Sequence, residues 1–259
     1  MYDWPEVRAA TDAFWARAAS NLRDLGIAAP AGLTRDRDLR TVWQSPDLLI
    51  AQTCGLPLVR GECGEAVPIG QPSYNVPGCG TGTYSSAILT RDDGRRTLAD
   101  FTDGVVAING WDSQSGCNAL KSWVLGSGGD RAPVFGRVVL SGAHRASADL
   151  VAGGDADICA LDAVAWALYQ LAEPERASRL RPIDWTEHMP SLPYVSAPGL
   201  AGHRAEICAA LDDAAAATPR TPAIPVKVRE ARLADYQSVG QMDERVSVVA
   251  LEPQESAHY

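Results

Sequence analysis

The run VVAINGWDSQSGC, residues 105–117, constrains the fold more than any other part of the sequence. Val105 to Ile108 form a short apolar stretch, the pattern of a buried strand, and it stops at Asn109 and Gly110. Asp112, Ser113, Gln114, Ser115 and Gly116 then read as the opening of a helix. A strand whose carboxyl end feeds a hydroxyl-rich turn and a helix start gathers three things at one point. These are free backbone N–H groups, the positive end of the helix dipole and two serine hydroxyls, which together suit an oxyanion. The same residues also suit a plainer duty, with Asp112 or Ser113 capping the helix. Both readings stand at this level.

The pattern recurs downstream. Val138-Val139-Leu140 runs into Ser141-Gly142-Ala143-His144 and a helix predicted over 145–152. An apolar strand follows at 158–161, then Asp162 and a second helix over 163–171. Strand, helix, strand, helix, with a polar residue at each strand's carboxyl end, is an α/β arrangement that collects ligands along that edge. His144 falls at a helix start and Asp162 at a strand end, where it equally fits as an N-cap. Gln52 and Thr53 follow a strand expected at 48–51 and precede Cys54 and Gly55, the same kind of position.

Composition bounds the rest. A chain of 259 residues can build one large domain or two smaller ones with cores of their own. Its net charge of −9 argues against a nucleic-acid partner, but not against a buried site for a small anion. No apolar stretch approaches the roughly 20 residues of a membrane span. The glycine-rich run 77–83, PGCGTGT, lacks the P-loop lysine and the dinucleotide spacing, and reads as a loop. The six cysteines form no CxxC pair and no zinc-type cluster, so neither metal nor cofactor is expected. Cys63 and Cys79 lie in loop-like regions and are candidates for pairing in an oxidising compartment. Cys54, with His144 as base and Asp162 as orienter, is the one nucleophilic arrangement to weigh, and no flanking cysteine-protease motif supports it.

At the N-terminus an amphipathic helix is predicted with Val7, Phe14, Ala18, Leu22 and Leu25 on one face and Gly26 as its stop. No basic and apolar leader precedes it, so no signal peptide is expected. Further helices are predicted over 202–217 and 229–239, and a disordered tail from 252.

Three segments, SQSG at 113–116, SGAHRASADLVAGGDADICALDAVAW at 141–166 and WTEHMPSLPYVSA at 185–197, carry a resemblance. Together the chain resembles the periplasmic substrate-binding proteins of phosphonate, phosphite and phosphate ABC transporters. The resemblance implies an α/β, two-lobed type 2 periplasmic-binding fold, with a ligand cleft between lobes that close on a hinge. It implies no catalysis. It assigns oxyanion recognition to Ser113, Gln114, Ser115 and His144, with an aromatic hydroxyl, Tyr74 or Tyr84, near the ligand from the other lobe. Gln52 and Thr53 join them there as strand-end donors. Gln114 stands where the family often has threonine, a long amide in place of a short hydroxyl. Asp162 and Glu187 fall near acidic positions that hold the amino group of an aminoalkylphosphonate, although Glu187 also fits as a rim charge. The lobes would be 1–96 with 187–259, and 97–186, with crossings near 97 and 186. The implied partners are a small phosphonate-like oxyanion and an ABC permease. The implied compartment is the periplasm, or the cytoplasm if no leader exists. A sensor or enzyme on the same fold, or a binder of a sulfonate or small heterocyclic vitamin precursor, remains the alternative.

Overall fold

The computed structural model describes residues 1–129 and 134–251; the tail expected to be disordered lies outside the described residues. The chain forms two compact units, one from 1–84 and 189–240, the other from 85–188 and 241–259.

The second unit is organised around the strand Val105–Ile108, whose last three residues are buried, as an apolar run in a parallel sheet must be. It pairs in parallel with Arg137–Leu140 on one side and Ile158–Asp162 on the other. The antiparallel strand Ser86–Arg91 follows Ile158–Asp162, and Leu180–Trp185 closes that edge. The helices Ala119–Gly126, His144–Gly153 and Ala163–Ala172 supply the crossovers. His144–Gly153 ends at Gly154, whose φ of 91° is the left-handed cap that a side chain disfavours. Ile88, Val106, Ile108, Leu120, Val124 and Ile158 pack in one core. Each fully buried side chain of this size contributes about 1.5–3 kcal/mol. Val249 and Leu251, from the far end of the chain, complete that core.

In the first unit, Ala51–Gln52, Tyr194–Ser196, Val67–Ser73 and Lys227–Glu230 form an antiparallel sheet in that order. The helix Arg8–Asp24 buries Trp15, Ala18, Ala19 and Leu22 in the same core as Ile207, Ala210, Leu211 and Ala214 of the helix Arg204–Ala217. Val7, Ala18 and Leu22 of the expected face are buried, but Leu25 is exposed and Trp15 takes a place in the core. Gly26 ends the helix with φ at 78°. A second, three-stranded sheet joins Met189–Pro190, Thr83–Tyr84 and Cys79–Gly80, so the glycine-rich run is a small hairpin.

Three expectations are corrected. The unit boundary falls at 84/85 and not 96/97, because Ser86–Arg91 pairs on both sides with strands of the second unit. The helix expected over 229–239 is displaced. Lys227–Glu230 adds a strand to Val67–Ser73, with Val228 turned inward, and the helix runs from Gln237 to Val246. Within that helix, between Gly240 and Gln241, the chain passes from one unit to the other, a third crossing beyond the two expected. The thiol pairing is also absent: Cys63 and Cys79 form no disulfide, and the Cys63 sulfur sits 3.4 Å from the Thr53 hydroxyl.

Candidate functional site

Ser113 is extended (φ −91°, ψ 121°) and caps the helical run that starts at Gln114, its Oγ accepting from Gly116 N at 3.0 Å. The plain capping reading is thus correct for Ser113, while its hydroxyl hydrogen remains able to donate elsewhere. Residues 114–118 are wound wider than an α-helix, with both Cys117 N and Asn118 N on Ser113 O, before the run tightens into Ala119–Gly126. Such wide turns concentrate at functional positions.

Gly116 is required here. A Cβ on it would stand 1.8 Å from Asn109 Oδ1 and 3.2 Å from His144 Cε1. The Asn109 carbonyl, immediately after the central strand, therefore fills the space that a side chain at 116 would take. That oxygen is buried with no hydrogen-bond partner among the described residues. Sequence reading passed over Asn109 as a mere strand stop. The signal available was a glycine seven residues beyond an asparagine at a strand end.

Ser115 and His144 meet. Ser115 Oγ lies 2.9 Å from His144 Nε2, and Asp162 Oδ2 lies 3.4 Å from the same nitrogen. Asp162 is buried and also caps Ala163–Ala172, its Oδ1 accepting from Ala165 N at 2.8 Å. Both readings of Asp162 thus coexist in one side chain. A carboxylate on Nε2 places the imidazole proton there, shared toward Ser115, and leaves Nδ1 as a bare acceptor. Nδ1 is buried, with no hydrogen-bond partner among the described residues. Burial holds the His144 pKa below its ordinary value, opposed by the Asp162 carboxylate and then by the Ala160 backbone. The ring is therefore neutral at pH 7.

This geometry does not form a hydrolytic triad. A relay needs the carboxylate on Nδ1 and the nucleophile on Nε2, and here both groups crowd Nε2. Cys54, buried at the start of Gly55–Val59, belongs to the other unit.

Gln114 and Glu187 are engaged elsewhere. Gln114 is buried, its Nε2 donating to Met242 Sδ at 2.7 Å and its Oε1 3.5 Å from Asn118 Nδ2. Glu187 Oε1 accepts from Ser122 Oγ at 2.8 Å and pairs with Arg245.

In the first unit, Gln52 Nε2 donates to Tyr74 Oη at 3.0 Å and reaches Leu192 O at 3.4 Å. The Tyr74 hydroxyl also hydrogen-bonds Tyr194, whose phenol burial pushes well above its ordinary pKa. Tyr194 went unnoticed in the sequence, because nothing local marks it. Thr53 is fully buried and its hydroxyl turns to Cys54 O and the Cys63 sulfur. Tyr84 is buried in the small sheet, opposite Cys79 and Met189. The structure brings Gln52 and Tyr74 together in one unit, and Ser113, Ser115, His144 and Asp162 together in the other.

Comparison with known proteins bears on the fold. A phosphonate-binding component of an ABC transporter from Pseudomonas aeruginosa superposes with a TM-score of 0.70 at 16% identity, over 93% of this chain and 82% of that one. PhnD1 from Prochlorococcus marinus, in complex with methylphosphonate, gives 0.69 at 14%, over 93% and 95%. The periplasmic aliphatic sulphonate-binding protein SsuA from Escherichia coli gives 0.56 at 13%, over 93% and 86%. At these identities the likeness is one of fold, the two-lobed fold of periplasmic binding proteins. No protein of curated function matches the chain. The family model for the periplasmic substrate-binding protein of phosphonate ABC transporters matches residues 47–224, and the chain belongs to that family.

Proposed function

We propose that the chain captures a small phosphorus oxyanion, of the phosphonate, phosphite or phosphate kind, and presents it to a permease of the ABC type without altering it. The Ser115–His144 contact beside an unpartnered, buried Nδ1 carries the reading. A helix opening, two serine hydroxyls and a neutral imidazole within one unit offer donors and an acceptor together, which a phosphonate monoanion, bearing both P–O⁻ and P–OH, can satisfy at once. The Prochlorococcus relative's complex with methylphosphonate supports the same chemistry. Of the candidates for this role we retain Ser113, Ser115 and His144 in the second unit and, in the first, Gln52 and Tyr74. Family membership supports the periplasm as the compartment; no described helix is long and apolar enough to cross a membrane.

A sulfonate is the second reading, favoured by the likeness to SsuA. The two separate in one experiment. Methylphosphonate at 100 times its Kd should stabilise the protein by about 2.7 kcal/mol. Methanesulfonate, which has no proton to give a bare acceptor, should do much less. Absence of any melting shift with methylphosphonate, phosphite or phosphate at millimolar concentration, beside a clear shift with methanesulfonate, would replace the first reading by the second.

A further inference from the structure

The wide-wound run 114–118 departs from an α-helix by one residue: Asn118 N donates to Ser113 O at 3.1 Å, and Ala119 N donates to Gln114 O. One extra residue in a turn rotates what precedes it by about 100° against the helix that follows. That rotation sets the direction of Ser115, whose hydroxyl meets His144. Such a turn needs surroundings that specify it. Two neighbouring residues of the helix Gln237–Val246 supply them, one at each end of the run. Gln114 Nε2 donates to Met242 Sδ, and Asn118 Nδ2 donates to Asp243 Oδ1 at 3.0 Å. Gln114, Asn118 and Met242 are buried. All of these residues belong to the second unit.

We infer that Asp243 is a positioning residue for the serine turn, holding Asn118 so that the run stays wide and Ser113 and Ser115 keep their places. The inference rests on the phosphonate reading above. Sulfur is a weak acceptor, so Met242 guides Gln114 without fixing it, whereas a carboxylate accepting from an amide makes a charge-assisted bond. Asn118 is gripped at two points, by its backbone on Ser113 O and by its side chain on Asp243. A displacement of that side chain is therefore felt directly at Ser113. Without the Asp243 carboxylate, the buried Asn118 amide falls back on the long contact to Gln114 Oε1, at 3.5 Å. The run is then free to tighten by one residue, which swings the Ser115 hydroxyl away from His144.

Calorimetry with methylphosphonate and the ring-nitrogen NMR signals of His144, assigned with His144→Gln, test this together. Asp243→Ala should weaken methylphosphonate about tenfold and move the His144 Nε2 signal in the ligand-free protein. Asp243→Asn keeps an acceptor oxygen at the same place and should restore both. Asn118→Leu removes the donor with little change of shape and should repeat Asp243→Ala, so it decides the matter if that variant does not fold. A variant of either kind that melts lower but keeps its His144 signal and its affinity overturns the inference, since Asp243 then only holds the fold. So does Asp243→Asn faring no better than alanine. If the wild type binds no phosphorus oxyanion, the phosphonate reading fails. The His144 signal of the ligand-free variants still decides whether Asp243 positions the turn.

Discussion

In the second unit the candidate residues touch one another, whereas in the first most are tied to their own framework. Ser115, His144 and Asp162 come from three different crossover segments, yet two contacts on one imidazole nitrogen join them. In the first unit Gln52 and Tyr74 meet, but Thr53 is fully buried against Cys63 and Tyr84 lies within a small sheet. The difference follows from topology. Parallel strands joined by helices deliver the residue after each strand to a common edge, so a strand-end rule finds it. The first unit's sheet is antiparallel, and its strand Ala51–Gln52 pairs with a segment more than a hundred residues away. There the same rule has no geometric basis, and Thr53 is the result.

The largest expected effect is at Gly116. Gly116→Ala drives a methyl into Asn109 Oδ1 and should cost about 1–3 kcal/mol or more, read from urea unfolding. Adding Asn109→Ala should return part of that loss. If Gly116→Ala alone is neutral, the tight packing attributed to the second unit is wrong. Next comes Ser115→Ala, which removes a hydroxyl donor to a charged ligand, worth about 1.5–3 kcal/mol. Methylphosphonate affinity should fall roughly ten- to a hundredfold by calorimetry. An unchanged affinity would reduce Ser115 to a partner of His144 alone.

A smaller effect should appear in the pH profile. The His144 pKa is lowered in the folded state, so the unfolded chain binds the extra proton first. This group's contribution is complete above the unfolded value of about 6.5, and is lost as pH falls from there toward the folded value. Stability should fall by at most about 1.4 kcal/mol per pH unit in that window. His144→Gln should flatten the slope, and an identical profile in the variant would mean that other groups cause it. The smallest change is expected from Thr53→Val. Losing one modest buried hydrogen bond should cost about 1 kcal/mol of stability, with methylphosphonate affinity untouched. A marked loss of affinity instead would restore Thr53 to the site and erase the contrast between the units.

Much of the second unit was legible in the sequence. Val105–Ile108 matched its expected bounds, and the helices around His144 and after Asp162 matched within a residue, because an apolar run and a polar strand end are local signals. What escaped depends on distant partners. The partner of the Gln114 side chain was hidden, because nothing near it reveals Met242, 128 residues on. Glu187 looked available because its partner Arg245 lies 58 residues on. The end of the strand Lys227–Glu230 was read as the start of a helix, because its β-partner, Val67–Ser73, decides its conformation, and local propensity does not.

Val249 and Leu251 pack with Val106, Ile108 and Leu120, and Phe135 N donates to Leu251 O. This fixes an order of events during synthesis. The ribosome releases the central strand, the serine turn and His144 long before it releases the residues that finish their core. At about 5–20 residues per second, the second unit waits several seconds with part of its apolar surface uncovered. Closing contacts so remote in sequence also slows folding once the chain is free. A stop codon just before Val249 would therefore leave every candidate binding residue in place and still yield a chain prone to aggregate.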